Sequence, residues 1–179
     1  MRLAALLLAL LAGCSTTRVR DLDGRALDPL ARSDARATVL VFSDTECPIA
    51  NAYAPELGRL HAELAPRGVA FFLVYADGTR DAEEVRAHHA AYGYPFPALL
   101  DPGHELVARA GAATTPEACV FLPDGELVYR GRIDDRYVDF GKQRAAPTVR
   151  DLRAALEAVL AGTRPGRPWA PAIGCSIPP

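Results

Sequence analysis

The 179-residue chain carries 20 lysines and arginines against 22 aspartates and glutamates, a formal charge of −2. With no basic cluster, that balance excludes nucleic acid as an expected partner. Half the residues are apolar, enough for one compact core with extensions, and cysteines 14, 47, 119 and 175 match no zinc spacing.

Met1-Arg2, an apolar stretch from Leu3 to Leu11 and then Leu11-Ala-Gly-Cys14 follow one another at the start. The order resembles a bacterial lipobox. The likeness implies cleavage before Cys14, a lipid anchor on that cysteine, and a mature protein outside the cytoplasm on the periplasmic side of the cell envelope. Residues 1–13 then read as signal peptide, 14–18 as a polar tether, 19–161 as the folded domain, and 162–179 as a Pro- and Gly-rich tail carrying Cys175.

Within the domain, the Asp23-Gly24 turn between short apolar positions predicts a β-hairpin over Val19–Leu30. Val39 to Phe42 is a short apolar run of the kind buried on both sheet faces. Beyond Cys47, Ala50, Tyr53, Ala54, Leu57, Leu60 and Leu64 recur at helical spacing, and Pro48 suits a first helical turn. Cys47 is therefore expected at the helix N-cap, where unpaired N–H groups and the helix dipole favour a thiolate. Val69–Tyr75 reads as a second buried strand, parallel to the first through a right-handed crossover. Asp81-Ala-Glu-Glu84 has the form of a capping box opening a helix to about Tyr92, with His88 and His89 read as solvated on its surface. Phe96–Leu100 reads as a short edge strand and Glu105–Ala110 as a short helix. Thr115-Pro116 leads into a strand ending at Leu122, and the Pro123-Asp-Gly125 turn joins it to Glu126–Arg130 as an antiparallel hairpin. Thr148 is expected to open a last helix with Val149, Leu152, Leu156, Val159 and Leu160 on one face. From Gly162 the composition predicts no regular element, although Ile173-Gly-Cys-Ser-Ile177 is apolar for a loose tail.

Thr45-Glu-Cys-Pro-Ile-Ala-Asn51, Thr115-Pro-Glu117, Arg130-Gly-Arg-Ile-Asp-Asp135 and the terminal Gly174-Cys175, in this order of elements, resemble the redoxin family of alkyl-hydroperoxide-reductase/thiol-specific-antioxidant type. Bacterial peroxiredoxin-like lipoproteins are the nearest likeness. The resemblance spans about residues 19–177 and implies an α/β, thioredoxin-like fold: a central mixed sheet flanked by helices. It makes Cys47 the nucleophile and Thr115-Pro116 a cis-proline unit that presents backbone to a bound thiol substrate. Two departures stand out. Ala50 occupies the place of a thioredoxin's second cysteine, and Asp44 and Leu40 replace the hydroxyl residue and proline of a peroxiredoxin site. Thr45 can stand in for that hydroxyl after a one-residue shift. Asp44 and Glu46 oppose a thiolate at Cys47.

With Ala50 excluding the usual partner, Cys119 or Cys175 is left to resolve an oxidised Cys47. Cys119 falls inside a strand and reads as a small buried hydrophobe. A fully extended tail carries Cys175 roughly 46–50 Å, far enough to reach any surface of the domain. Arg130 and Arg132 are secondary candidates for a guanidinium near the thiolate, with Asp134 and Asp135 as their partners otherwise. Asn51 stands where copper chaperones of cytochrome-oxidase assembly carry a second cysteine. No metal, flavin or nucleotide site is visible. The reading is an extracytoplasmic thiol-disulfide oxidoreductase acting on thiol or disulfide proteins. A thiol peroxidase taking peroxide and a non-catalytic binding module or copper carrier are its alternatives, and the oligomeric state stays open.

Overall fold

A computed structural model describes residues 19–32 and 34–178; the segment ending in Cys14 lies outside them. The chain enters through β1 (Arg20–Asp21), and the Asp23-Gly24 turn returns through one antiparallel bridge between Arg20 and Ala26. The expected hairpin is thus a single bridge long. β2 (Ala37–Ser43) is buried throughout and pairs in parallel with β3 (Val69–Tyr75). Val39 and Val41 join one core cluster while Leu40 and Phe42 join the other, so both faces of the strand are covered.

The helix after Cys47 is not continuous. It divides into α1 (Pro48–Ala52) and α2 (Ala54–Leu64), with Tyr53 between them. Pro55 is the cause: it has no N–H to give the Asn51 carbonyl, and its ring crowds the preceding turn. Tyr53 fills the joint. Its hydroxyl donates to Asp134 at 2.6 Å, and its ring lies 5.6 Å from that of Tyr137.

α3 (Ala82–Ala91) starts at Asp81, whose carboxylate accepts from the N–H groups of Glu83 and Glu84. The return half of the capping box is diverted, because Glu84 engages Thr45 and Arg80. β4 (Ala98–Leu100) is not the expected edge strand: β1 pairs with its outer side. Next comes α4 (Glu105–Ala110), where buried Asp101 accepts three N–H groups of the first turn.

The strand entered through Thr115-Pro116 is split at the proline into β5 (Thr114–Thr115) and β6 (Glu117–Phe121). β6 turns through Pro123-Asp-Gly125 into antiparallel β7 (Leu127–Gly131). A small hairpin of β8 (Tyr137–Asp139) and β9 (Lys142–Gln143) follows, which the sequence reading did not anticipate. α5 (Asp151–Leu160) begins later than expected, leaving Val149 outside the helix and 47% exposed. The Asp135 carboxylate holds that stretch, accepting from the Thr148 hydroxyl and from the N–H groups of Thr148 and Val149. The main sheet runs β1-β4-β3-β2-β6-β7, mixed in direction, with helices on both faces. The tail also departs from expectation: β10 (Cys175–Ser176) pairs antiparallel with β5.

Cys119 sits in β6 opposite Leu40, in the core cluster on the far side of the sheet from Cys47. Burial pushes its thiol well above the ordinary range, and Glu117 adds to the rise. Cys119→Ala should therefore leave Cys47 chemistry unchanged while costing about 1 kcal/mol of stability. Urea unfolding beside thiol titration checks this; a loss of Cys47 reactivity in that variant would contradict it.

Candidate active site

β2 ends at Ser43, and the turn Asp44-Thr-Glu swings the chain out of the sheet. Asp44 holds the turn, its carboxylate accepting from the Glu46 N–H and its carbonyl from the Cys47 N–H. Cys47 is the N-cap of α1 in extended conformation (φ −77°, ψ 107°), which its position before Pro48 favours, and Pro48 starts the helix. The thiol is therefore fixed where a strand ends and a helix begins.

Two other segments converge on it. The Thr115–Pro116 peptide bond is cis. While protonated, the Cys47 thiol donates to the Thr115 carbonyl at 3.0 Å. From the tail, Cys175 pairs with Thr115 in β10–β5, which sets it beside Cys47. All three cysteines among the described residues are free thiols.

The two neighbouring sulfurs are driven apart in acidity. Burial raises the Cys47 pKa, but hydrogen bonds from the Cys175 thiol, the Thr115 side chain and the N–H groups of Ala50 and Cys175 outweigh it and leave it below its ordinary value. Cys175 is pushed up to about 12, first by burial, then by its bond to Cys47 and by the charges of Cys47 and Asp44. The pair thus holds a thiolate-forming sulfur beside a thiol that keeps its proton and donates it.

The carboxylates set against the thiolate in the sequence reading are otherwise engaged. Arg80 lies 2.7 Å from Glu46, 3.0 Å from Glu84, 3.3 Å from Asp77 and 3.7 Å from Asp44. Asp44 bears on Cys175, where it helps keep the proton on. The Thr45 hydroxyl donates to Glu84 at 2.8 Å rather than turning to the thiol. Arg130 donates to the Gly111 carbonyl and stands 3.8 Å from Glu117; Arg132 pairs with Asp151 at 2.7 Å. Asp134 and Asp135, expected as partners of these arginines, are instead taken by Tyr53 and by Thr148.

The reading of His88 as solvated is corrected too. It is buried, its Nδ1 lies 2.8 Å from the Tyr75 hydroxyl, and its Nε2 lies 2.8 Å from Asn51 Oδ1. Asn51 Nδ2 donates in turn to the Thr45 carbonyl, so the chain Tyr75–His88–Asn51 clamps the segment that carries Cys47. A signal for this was present: His88 follows buried Val85 by three residues and shares its helix face. Arg80 pairs locally with Asp77 and Glu84, but its reach to Asp44 and Glu46, more than thirty positions earlier, carried no such signal.

The profile of the AhpC/TSA family matches residues 18–130. The thiol-disulfide oxidoreductase ResA of Halalkalibacterium halodurans is 26% identical over 110 residues, which are 62% of this chain and 61% of that protein. The chain thus spans less than two thirds of that relative's length. A solved structure of an uncharacterized conserved protein from Geobacillus kaustophilus is similar at a TM-score of 0.76 and 32% identity, covering 90% of this chain and 87% of that one. A thioredoxin-like protein from Aeropyrum pernix shares the fold at a TM-score of 0.54 and 19% identity, covering 63% and 78%.

Proposed function

From a chain that belongs to the AhpC/TSA family, we propose a thiol-disulfide oxidoreductase in which Cys47 attacks and Cys175 resolves. The observation that carries this reading is the tail strand that pairs Cys175 with Thr115, the residue whose carbonyl accepts from the Cys47 thiol at 3.0 Å. Cys47 as thiolate attacks one sulfur of a protein disulfide, and the other sulfur leaves as a thiolate. Once Cys47 is bound in the mixed disulfide it no longer carries charge. Two of the causes that hold the Cys175 proton on then vanish together. Cys175 deprotonates, attacks the Cys47 sulfur and releases the second half of the substrate. Thr115-Pro116 would present backbone to the incoming thiol. Pro48 would fix where the helix starts, and Arg130 and Arg132 would act on the surrounding loops rather than on sulfur.

Disulfides are favoured over peroxides as substrates because Thr45, the hydroxyl proposed for peroxide chemistry, is spent on Glu84. Mild oxidation followed by non-reducing peptide mapping tests the mechanism. A crosslinked Cys47–Cys175 peptide is expected; Cys47 recovered only as sulfinic acid or in intermolecular dimers would overturn it.

The proposed place of work is the extracytoplasmic face of the cell envelope, with residues 1–13 removed, Cys14 lipidated, and 14–18 tethering the domain of residues 19–161. Intact mass of the membrane fraction should show the acyl additions, and Cys14→Ser should release the protein from membranes. A Cys14→Ser protein that stays anchored would contradict the lipid assignment.

A further inference from the structure

Cys47 is 1% exposed, which is poor access for an attacking sulfur. The tail packs over it: Ile173 and Cys175 sit against the same core cluster that contains Cys47. They are held there as a guest strand would be. Cys175 and Ser176 lie antiparallel to Thr115 and Thr114, the Ile177 N–H donates to the Ala113 carbonyl at 3.0 Å, and the Thr115 hydroxyl reaches the Cys175 carbonyl at 3.4 Å.

Two glycines keep the path clear. A Cβ at Gly174 would collide with the Thr115 carbonyl oxygen and lie 3.1 Å from Pro116 Cδ. A Cβ at Gly131 would collide with the Ala170 carbonyl, which accepts from the Arg132 N–H at 3.1 Å. The first contact is the informative one. Whatever lies on Thr115 with a cysteine over Cys47 must pass the Thr115 carbonyl with the preceding residue, and only a residue without a side chain fits.

We infer that Gly174-Cys175-Ser176 is an internal copy of the substrate strand. A substrate lifts the tail, lies antiparallel on Thr114–Thr115 and brings its disulfide to the place Cys175 now holds. The substrate is then an extended polypeptide whose disulfide-bonded cysteine follows a glycine. This rests on the Cys47 chemistry proposed above. With the tail lifted, the Cys47 thiolate bonds to the peptide cysteine sulfur, the substrate S–S bond breaks, and its other half leaves as a thiolate. The returning tail displaces the peptide from the same edge. Cys175 gives its proton to solvent and attacks the Cys47 sulfur, the peptide departs as a thiolate, and the two thiols have passed two electrons to the substrate disulfide. Release and resolution are one event.

The test compares reduced Cys175→Ser, in which the tail keeps its seat, with Gly174→Ala/Cys175→Ser and with a chain ending at Ala172, which both vacate it. The probe is a decapeptide containing Gly-Cys as its mixed disulfide with nitrothiobenzoate. Single-turnover release of nitrothiobenzoate is read on the high-pH plateau, where differences in thiol acidity drop out. A seat open in a minor fraction of molecules predicts that both vacated forms react at least about tenfold faster than Cys175→Ser. With the chain ending at Ala172, a Leu-Cys decapeptide should react about tenfold more slowly than Gly-Cys, because its side chain meets the Thr115 carbonyl. Equal rates in either comparison would overturn the inference while leaving the Cys47 mechanism standing. An inert Cys47 in every form, the shortened chain included, would remove both.

Discussion

Cys47→Ser should abolish disulfide-reductase turnover, by at least about a thousandfold, since Cys119 is buried in the sheet and Cys175 keeps its proton. Cys175→Ser should behave differently: the first attack survives, and the protein stops after one event as a mixed disulfide on Cys47, visible as an added mass on that peptide. The two phenotypes follow from the separated acidities. Cys47 is lowered despite its burial, so its alkylation should reach half its limit at a lower pH than that of an ordinary thiol. The neighbouring Cys175 thiol contributes to that lowering, so Cys175→Ala should move the midpoint upward. Full multiple turnover in Cys175→Ser with a single-cysteine reductant absent would show that another group resolves Cys47.

The division of the three thiols gives the fold its part in the chemistry. β6 carries Cys119 to the sheet face opposite Cys47, whereas β5, one residue before β6, carries the Thr115 backbone to the Cys47 side. The break at Pro116 is what lets one stretch of chain serve both a core strand and the substrate edge. The family profile ends at residue 130, so the proposed resolving sulfur comes from a segment beyond it.

What was legible in the sequence was local. Val39 to Phe42 and Val69–Tyr75 announced the two central strands because a run of apolar residues buried on both faces needs no partner to be recognised. Cys47-Pro48 marked its junction for the same reason, since the proline's preference for a first turn acts within two residues. The break at Tyr53 was hidden because Ala50, Tyr53, Ala54 and Leu57 keep helical spacing straight across it; periodicity registers which face is buried and is blind to one missing hydrogen bond. The strand identity of Cys175 was hidden for a different reason. It depends on Thr115, sixty positions earlier, and on Gly174 clearing one carbonyl oxygen. β4 was misjudged as an edge because the strand expected near Arg20–Asp21 was read as part of a separate hairpin, whereas it pairs with β4, some eighty positions later.

Replacing His88 by alanine should cost about 3 kcal/mol, because it strips the partners from two polar groups at once and leaves a cavity. The hydrogen-bond directions are fixed by Asn51. Its Nδ2 donates to the Thr45 carbonyl, so Oδ1 is the atom that faces His88 and must accept from Nε2–H; in the neutral ring Nδ1 is then the acceptor for the Tyr75 hydroxyl. Burial lowers the His88 pKa, against the raising influence of Asp44 and Glu84 and with His89 adding to the fall. The sign of the pH effect follows. In the unfolded chain the ring takes a proton near pH 6.5, and in the folded protein it resists until lower pH. The stability contributed by the neutral ring is therefore complete above about pH 6.5 and declines as the pH falls through the window below it. His61, also lowered by burial, adds a slope of its own, so the diagnostic quantity is a difference between proteins. His88→Gln retains a donor and an acceptor but does not titrate, and should lose less stability than His88→Ala and show a flatter dependence than wild type between pH 7.5 and 5.5. Urea midpoints at the two pH values measure this. The same clamp fixes the segment holding Cys47, so Cys47 alkylation should also slow in His88→Ala and recover in His88→Gln. Identical pH slopes in wild type and His88→Gln would show that His88 is not held neutral, and unchanged Cys47 reactivity in His88→Ala would separate the clamp from the thiol.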